Sequence, residues 1–427
     1  MAARRAAVVG GNRIPFARSN GPYAHASNQD MLTAALDGLA ARFNLQDERL
    51  GEVAAGAVLK RSRDFNLTRE SVLGSALAAT TPAYDVQQAC GTGLETAILI
   101  SNKIALGQIE SGIAGGVDTT SDAPIEVNDD LRQVLLDANR ARSLAARAKL
   151  LTRLRPNFLV PSIPRNAEPR TGLAMGDHQA ITTEEWDISR EAQDELAASS
   201  HHNLAAAYER GFFADLMTPF LKLTRDQNLR PDTSVDKLAG LKPAFGDRET
   251  GTMTAGNSTP LTDGAATVLL ASDEWAAERS LPVLAHLVDA ETAAVDYVHG
   301  DRKADGLLMA PIYALPRLLA RNKLTLQDFD FYEIHEAFAS TVLTTLAAWA
   351  DGDFCRRYLG LAEPLGELDR GRLNVNGSSL AAGHPFAATG GRIVATLAKL
   401  LHEKGSGRGL ISICAAGGQG VVAILEA

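Results

Sequence analysis

The strongest constraint on the fold is that two parts of this chain follow the same order of elements. Residues 85–90 read as the end of an extended run that feeds a helix, and 113–117 as a glycine-rich buried strand. Residues 372–377, which precede a helix from about Thr389, and residues 413–418 repeat that order. Repeated order with alternating strands and helices indicates duplicated halves. We predict a layered α/β fold of duplicated halves with two packed sheets.

A change in character divides the chain. Predicted strands at 6–9, 50–58 and 111–118 alternate with helices at about 28–43 and 68–79 through residue 123, and sheet-like sequence resumes at 251–255. Residues 124–244 are instead rich in arginine and in long helical patterns, with prolines at 156, 164 and 169. Connections of that length are uncommon unless they form a subdomain or cover a site. We therefore expect an N-terminal half over 1–123 completed by 245–281, an inserted mainly helical loop domain over 124–244, and a C-terminal half over 282–427.

Composition excludes several classes of protein. The 427 residues are 45% hydrophobic and 22% charged, and no apolar run approaches the length of a membrane span. A net charge of −9 argues against nucleic acid as a partner. Three cysteines cannot form a disulfide framework, and none has zinc-site spacing. The N-terminus runs directly into a predicted strand at 6–9 and has no signal-peptide core. We expect a cytoplasmic protein without a metal.

Cys90 lies where a predicted strand passes into a helix. Backbone N–H groups at a helix N-terminus favour a thiolate, which is the nucleophilic form of cysteine. Gly91 and Gly93 would permit close approach of another segment or a substrate. A single cysteine in apolar surroundings is more commonly structural. Its interpretation as a nucleophile therefore depends on the motifs downstream.

Three downstream motifs carry reactive side chains at strand ends. His335 lies in Glu-Ile-His-Glu-Ala-Phe-Ala at 333–339, His384 is at the tip of a glycine-rich loop over 376–390, and Cys414 lies on the turn 413–420. Each has a structural alternative, such as a hydrogen-bonded histidine or a small buried cysteine. Together they supply a nucleophile, its base, a second acid/base and oxyanion donors, which thioester chemistry requires. Cys355, in a charged neighbourhood, is interpreted as structural.

At these motifs the chain resembles the thiolases over essentially its whole length. Further matching segments lie at 114–118, 241–245, 251–257 and 261–266. The His-Glu-Ala-Phe-Ala form and Gly-His-Pro-Phe-Ala-Ala-Thr-Gly at 383–390 look most like the fatty-acid-oxidation branch that includes trifunctional-enzyme β subunits. The resemblance implies the thiolase fold, in which duplicated α/β halves form two packed mixed sheets in layers (αβαβα).

The resemblance also implies an activity and its residues. The protein would be a 3-ketoacyl-CoA thiolase (acetyl-CoA C-acyltransferase) in fatty-acid β-oxidation, with Cys90 as nucleophile, His384 as its base and Cys414 as the acid/base at the enolate. His384, with a water or donor held by His335, would form one oxyanion hole. The backbone N–H groups of Cys90 and Ala416 would form the other.

Coenzyme A would be a substrate, with no bound cofactor. The residues that the resemblance places along the CoA and acyl channel are Met175, Phe245, Ser258, Thr259, Ala337 and Phe338. The sequence departs from the family at Ala416, where glycine is usual, and at 12–15 and 176–179. These departures bear on substrate details.

Three alternatives stay open. The protein could be an acetoacetyl-CoA-forming acetyl-CoA acetyltransferase, a decarboxylating ketosynthase, or an acyl-CoA-binding protein without turnover. Cys414 argues against the ketosynthase because a malonyl donor loses carbon dioxide and needs no second thiol. The presence of all four reactive groups argues against a non-catalytic binder.

The resemblance suggests partners beside acyl-CoA and CoA. It implies a homodimer or tetramer and raises a hydratase/dehydrogenase partner subunit as a candidate. A projection of residues 131–154 as one helix places an alanine-rich stripe opposite a basic face. That face is expected to meet the CoA phosphates, an acidic partner or, peripherally, a membrane.

Overall fold

A computed structural model describes residues 4–427. Its strands are β1 (Ala6–Arg13), β2 (Ala17–Arg18), β3 (Glu52–Ala55), β4 (Ala83–Asp85), β5 (Ser111–Asp118), β6 (Thr262–Ser272), β7 (Ala285–Ala294), β8 (Phe331–Ile334), β9 (Arg408–Ala415) and β10 (Gln419–Glu426). Its α-helices are α1 (Asn28–Phe43), α2 (Leu67–Leu73), α3 (Thr92–Ala105), α4 (Asp129–Arg140), α5 (Leu144–Leu151), α6 (Met175–Glu185), α7 (Arg190–Glu209), α8 (Val235–Ala239), α9 (Asp273–Glu278), α10 (Ala310–Asn322), α11 (Ala339–Ala350), α12 (Gly352–Tyr358), α13 (Ser379–Ala382) and α14 (Ala388–Lys404).

The strands of both halves form one mixed sheet. Its order is β4-β3-β5-β6-β1-β7-β10-β9-β8, with β2 paired to β6. The halves meet where Ala6 and Val8 of β1 pair antiparallel with Leu287 and Ala285 of β7. The two half-sheets that we predict are present as β4-β3-β5-β6-β1 and β7-β10-β9-β8, and this three-residue pairing joins them at one edge.

The layer order is as predicted. Helix α1 packs on β1 and β6 of the N-terminal half, and α10 packs on β7 and β10 of the C-terminal half. Helices α3 and α14 contact each other and strands of the sheet, and their apolar side chains share one core cluster with residues from both halves. The structure therefore has the five layers αβαβα, with α3 and α14 in the middle.

Local sequence explains where several elements begin and end. Helix α1 matches its predicted bounds because Ser27 and Asp30 form a capping box and Asn44 adopts the left-handed conformation after the last turn. Strand β3 covers only part of the predicted run 50–58, and α2 ends at Leu73, before Gly74. The strand predicted at 251–255 is absent from the described structure; Thr254 forms a single bridge with Pro243.

The segment 124–244 is largely helical, as expected, but its basic amphipathic stretch is not one helix. Helix α4 ends at Arg140, Ala141 is extended with ψ 128°, and Ser143 caps α5. Within these two helices Val134 is the buried residue. None of the described helices is both long and apolar enough to cross a bilayer. The domain division at 123/124 and 244/245 stays a prediction.

A buried ion pair ties this segment to the sheet. Asp226 accepts hydrogen bonds from two guanidinium nitrogens of Arg13, each at 2.6 Å, and from the backbone N–H of Phe16 at 2.8 Å. Tyr208 donates a further bond to Asp226 at 2.8 Å. With each charge satisfied in this way, the pair fixes the segment against β1.

Candidate active site

The two central helices approach each other more closely at their N-termini than side chains would allow. A Cβ on Gly93 would lie 2.6 Å from the Ala387 carbonyl oxygen, and one on Gly390 would lie 2.1 Å from the Leu94 nitrogen. Glycine at both positions therefore permits the crossing. The close approach predicted at Gly93 occurs, and the approaching segment is the chain's own α14. This brings the turn that carries Cys90 against the loop that carries His384.

Cys90 and His384 are in hydrogen-bonding contact. The Cys90 Sγ and His384 Nε2 atoms are 3.1 Å apart, and both residues are buried. The imidazole is held from behind, with Nδ1 2.6 Å from the Thr389 Oγ1 atom, and the His384 backbone N–H donates to Thr262 Oγ1 at 2.8 Å. A neutral imidazole carries one N–H, so Nδ1–H donating to Thr389 leaves Nε2 free to accept the thiol proton.

Burial, rather than the helix terminus, controls the protonation of this pair. Burial raises the pKa of the Cys90 thiol to about 12, although N–H groups of Ala416 and of Cys90 itself act in the opposite direction. Burial, with a smaller contribution from the Arg392 charge, lowers the pKa of His384 to about 3. The N–H groups at the helix terminus therefore act in the expected direction, but burial outweighs them. At neutral pH the pair is a thiol and a neutral imidazole.

This charge state predicts how Cys90 reacts without substrate. Because its pKa is raised, the thiolate fraction should be low at pH 7 and rise about tenfold per pH unit up to at least pH 10. Iodoacetamide alkylation of Cys90, followed by peptide mass spectrometry across pH 6–10, measures this dependence. A rate that levels off near pH 7 would instead show a preformed thiolate–imidazolium pair.

His335 lies beside the pair. Its ring centroid is 4.2 Å from that of His384, its Nδ1 atom is 3.0 Å from Ser379 Oγ, and Nε2 is buried without a partner among the described residues. Burial, followed by His384 and Arg392, lowers the pKa of His335 well below its ordinary value. The ligating atoms of Cys90, His335 and His384 lie within 4.8 Å of one another, a spacing that would also suit a soft divalent cation. The absence of a metal stays a prediction.

Cys414 is the next-to-last residue of β9 and lies close to Cys90. It is 4% exposed, and its pKa is raised by burial and then by the Cys90 thiol. The backbone N–H groups of Ala416 and Cys90 both interact with the Cys90 sulfur. The two donors predicted for an oxyanion hole therefore converge on the Cys90 side chain. The backbone N–H of His335 donates to the Ser412 carbonyl at 2.8 Å and holds the second histidine beside this strand. All four predicted reactive side chains thus converge.

Four of the six predicted channel residues share an apolar cluster with Cys414. Met175, Phe245, Ala337, Phe338 and Cys414 belong to one apolar cluster, in which the Phe245 and Phe338 rings meet edge to face with centroids 5.6 Å apart.

The remaining two predicted channel residues lie at the edge of this cluster. The Thr259 N–H donates to the Ala337 carbonyl at 3.1 Å, and the Ser258 hydroxyl is buried without a partner among the described residues. Backbone contacts therefore link Ser258 and Thr259 to Phe338 and Ala337 of this cluster.

Two carboxylates near the site were missed by the sequence analysis. Glu168, 6% exposed, accepts from the Gly417 N–H at 2.9 Å and from the Tyr297 hydroxyl at 3.0 Å, so the segment 124–244 contacts the turn after Cys414. Asp118, whose pKa burial raises to about 7, accepts from the Ala387 N–H at 2.9 Å next to the His384 loop. Asp118 ends a predicted strand, which is a weak signal. Glu168 had no sequence signal.

The layered, duplicated fold and its paired thiols and imidazoles are those of an acyltransferase class. The family model of the thiolase N-terminal domain matches residues 6–274, and that of the thiolase C-terminal domain matches 283–427. The chain therefore belongs to the thiolase family.

Individual relatives match this chain in sequence or structure over nearly its whole length. A 3-ketoacyl-CoA thiolase of Yersinia pestis (strain Pestoides F) is 40% identical over 99% of this chain and 97% of its own length. Among solved structures, an acetyl-CoA acetyltransferase of Bacillus anthracis matches with a TM-score of 0.81 at 28% identity, covering 100% of this chain and 99% of the other. Human mitochondrial 3-ketoacyl-CoA thiolase in complex with CoA matches with a TM-score of 0.80 at 27% identity, covering 99% and 98%.

Proposed function

We propose that this protein is a 3-ketoacyl-CoA thiolase that cleaves 3-ketoacyl-CoA with CoA, yielding acetyl-CoA and a shortened acyl-CoA in fatty-acid β-oxidation. The observation that carries the proposal is the Cys90–His384 contact of 3.1 Å with the second thiol of Cys414 beside it. The Yersinia relative's name supports the choice of substrate.

In the first half-reaction Cys90 is the nucleophile. Its thiol proton passes to His384 Nε2 as Sγ bonds to the 3-keto carbon, and the C2–C3 bond then breaks. The departing acetyl-CoA enolate takes its proton at C2 from the Cys414 thiol, which becomes a thiolate. Because burial keeps both thiols protonated at rest, each proton needed for these steps is already in place.

In the second half-reaction CoA displaces the acyl group from Cys90. The CoA thiol gives its proton to the Cys414 thiolate, its sulfur bonds to the acyl carbon, and the leaving Cys90 sulfur recovers its proton from His384. The N–H groups of Cys90 and Ala416 stabilise the oxyanion on the acyl carbon, while His335 and His384 face the thioester oxygen of the enolate. Preorganised donors of this kind commonly contribute a factor of about 10²–10³ each.

Thiolysis of a series of 3-ketoacyl-CoA substrates from about four to about sixteen carbons tests this function. Acetyl-CoA release is the readout. Turnover of longer substrates supports the proposal, whereas turnover confined to acetoacetyl-CoA would identify the acetyl-CoA acetyltransferase alternative. Carbon dioxide release from malonyl-CoA would overturn it in favour of a ketosynthase. Binding of acyl-CoA without turnover would leave only the non-catalytic alternative.

CoA is the substrate, and the reaction needs no other cofactor because the steps above use only thiols, imidazoles and backbone donors. We place the protein in the trifunctional-enzyme-like branch, in the cytoplasm, as a homodimer or tetramer with a hydratase/dehydrogenase subunit as a candidate partner.

The segment of α4 and α5 with the chain that follows to residue 163 is proposed as a peripheral contact with an anionic lipid surface. Several of its large apolar side chains are exposed, among them Leu144 (81%), Leu159 (75%) and Ile163 (65%). Arg142 and Lys149 are exposed beside them. Exposed apolar side chains flanked by cations favour the headgroup region of an anionic bilayer.

Charge reversal at this surface is expected to weaken vesicle binding. Each cation near an anionic surface contributes about 1 kcal/mol, so Arg142→Glu with Lys149→Glu should reduce affinity at least roughly 30-fold. Cosedimentation with phosphatidylglycerol vesicles at low and moderate salt measures it. Arg49→Glu with Arg370→Glu is the matched control, since both are exposed elsewhere. Equal binding of both double variants, or no binding by the unmodified protein, would contradict the lipid contact.

A further inference from the structure

Arg392 is a buried cation directly behind the two imidazoles. It lies in α14, is 4% exposed, and donates from Nη2 to the hydroxyls of Ser378 and Ser379, each at 3.1 Å. Ser379 Oγ is in turn 3.0 Å from His335 Nδ1. A continuous path of hydrogen bonds therefore runs from the guanidinium through Ser379 to His335.

The chemistry of these groups fixes the direction of every bond in that path. A guanidinium has only donors, so the Ser379 oxygen must accept from Arg392. Ser379 Oγ makes no further hydrogen bond besides the one to His335 among the described residues. The Ser379 hydroxyl hydrogen has a hydrogen-bond partner only if the hydroxyl donates to His335 Nδ1. A buried donor without a partner would cost free energy. His335 Nδ1 is then an acceptor, and the ring proton is on Nε2.

We propose that Arg392 is a positioning residue that, through Ser379, holds His335 in the tautomer whose Nε2–H faces the reacting atoms beside Cys90. The unpartnered Nε2 is then a hydrogen-bond donor waiting for an oxygen. A neutral Nε2–H tautomer cannot act as a base at that atom. The path thus gives the two neighbouring histidines different roles. His384 accepts a proton at its Nε2 atom, whereas His335 donates a hydrogen bond from its own Nε2 atom.

The surroundings of Arg392 keep it in place. Burial lowers the pKa of Arg392, and the buried side chains of Glu333 and Glu336 nearby act in the opposite direction. Glu336 is itself fixed by the Ser200 hydroxyl at 2.7 Å and the Asn374 amide at 2.8 Å. The two serine hydroxyls are the groups that hold the guanidinium, with the two acidic side chains nearby.

The consequence for catalysis rests on the proposed thiolase function. A donor at His335 Nε2 stabilises the oxyanion of the enolate, which exists only along the reaction path and not in the bound substrate. Loss of the fixed tautomer should therefore lower kcat and leave KM nearly unchanged.

The two serines provide a matched pair of variants. Ser378→Ala and Ser379→Ala each remove one acceptor of Arg392, but only Ser379 contacts His335. We expect Ser379→Ala to reduce kcat for thiolysis by about tenfold to a hundredfold with KM within about twofold, and Ser378→Ala to reduce it far less. Equal losses in both variants, or none in Ser379→Ala, would overturn the proposal.

Substitution of the arginine gives a second comparison. Lysine also has donors only, whereas glutamine carries an acceptor, so Arg392→Lys should retain more activity than Arg392→Gln. The reverse order would contradict the donor path. If these variants do not fold, the serine pair decides.

A direct measurement separates this proposal from the proposed function. In protein labelled with ¹⁵N-histidine, His335 should show a protonated Nε2 and an unprotonated Nδ1, with His335→Gln identifying the signals. Ser379→Ala should mix the tautomers, while Ser378→Ala should not. The measurement needs no turnover, so a protein with this tautomer but no thiolysis would reject the function alone. An unprotonated Nε2 in active protein would reject the role of Arg392 alone.

Discussion

Cys90→Ala is expected to abolish thiolysis and acyl-enzyme formation together. The reason is that Cys90 is the thiol in contact with a neutral imidazole, His384 Nε2, at 3.1 Å. Cys414 has a raised pKa and makes no such hydrogen bond in the described structure, so it cannot take over the attack. In covalent catalysis, removal of the nucleophile costs on the order of 10⁶-fold in kcat.

Mass spectrometry of peptides after incubation with acetyl-CoA provides the direct measurement. The unmodified protein should carry the acetyl group on Cys90, and the variant should carry none. Cys355→Ser is the control, because Cys355 is buried with its Sγ 3.5 Å from the Ala348 and Trp349 carbonyls, as expected for a structural cysteine. An acetyl group on Cys414 or Cys355 would show that the nucleophile has been assigned to the wrong thiol.

The sequence was sufficient for the layers and for the four reactive side chains, because both depend on local patterns. Strand β5 and helix α1 have their predicted bounds, since a glycine-rich apolar run and a capping box are contained within each segment. His335 directly follows β8, Cys90 lies just before α3, Cys414 is the next-to-last residue of β9, and His384 lies in the loop before α14. Strand ends of one sheet collect at an edge, so their convergence follows from topology.

Properties that depend on packing between distant segments could not be read in the same way. The predicted thiolate at Cys90 took account of the local helix terminus, but burial of the whole site raises its pKa to about 12. Glu168 contacts Gly417, which is 249 residues away in the sequence, and Arg392 contacts Ser379, which is 13 residues away. No periodicity marks either contact.

The break between α4 and α5 has a local cause, which the projection of residues 131–154 as one helix did not take into account. Ser143 accepts a hydrogen bond from the Ala146 N–H and so begins a new helix, which a continuous 3.6-residue pattern cannot show. The join between the two half-sheets was missed because it needs only three residues of β1 beside β7. Hydrophobic pattern specifies that a strand is buried, not which strand lies at its other edge.

Cys414→Ala is expected to separate the two halves of the reaction. The variant keeps Cys90, His384 and the backbone donors, so acetyl-CoA should still acetylate Cys90. It lacks the group that exchanges a proton with the enolate carbon. A general acid/base contributes about 10²–10⁴-fold, and carbon–carbon bond cleavage should fall by that factor.

Hydrogen–deuterium exchange at the methyl group of acetyl-CoA in D₂O isolates this step, because it requires removal of the α-proton and no bond between carbons. The unmodified protein should catalyse the exchange and Cys414→Ala should not, although both acetylate Cys90. The raised pKa of Cys414 supports this assignment, since a thiol of high pKa yields a strong base once it is deprotonated. Exchange at the unmodified rate in Cys414→Ala would show that another group removes the α-proton.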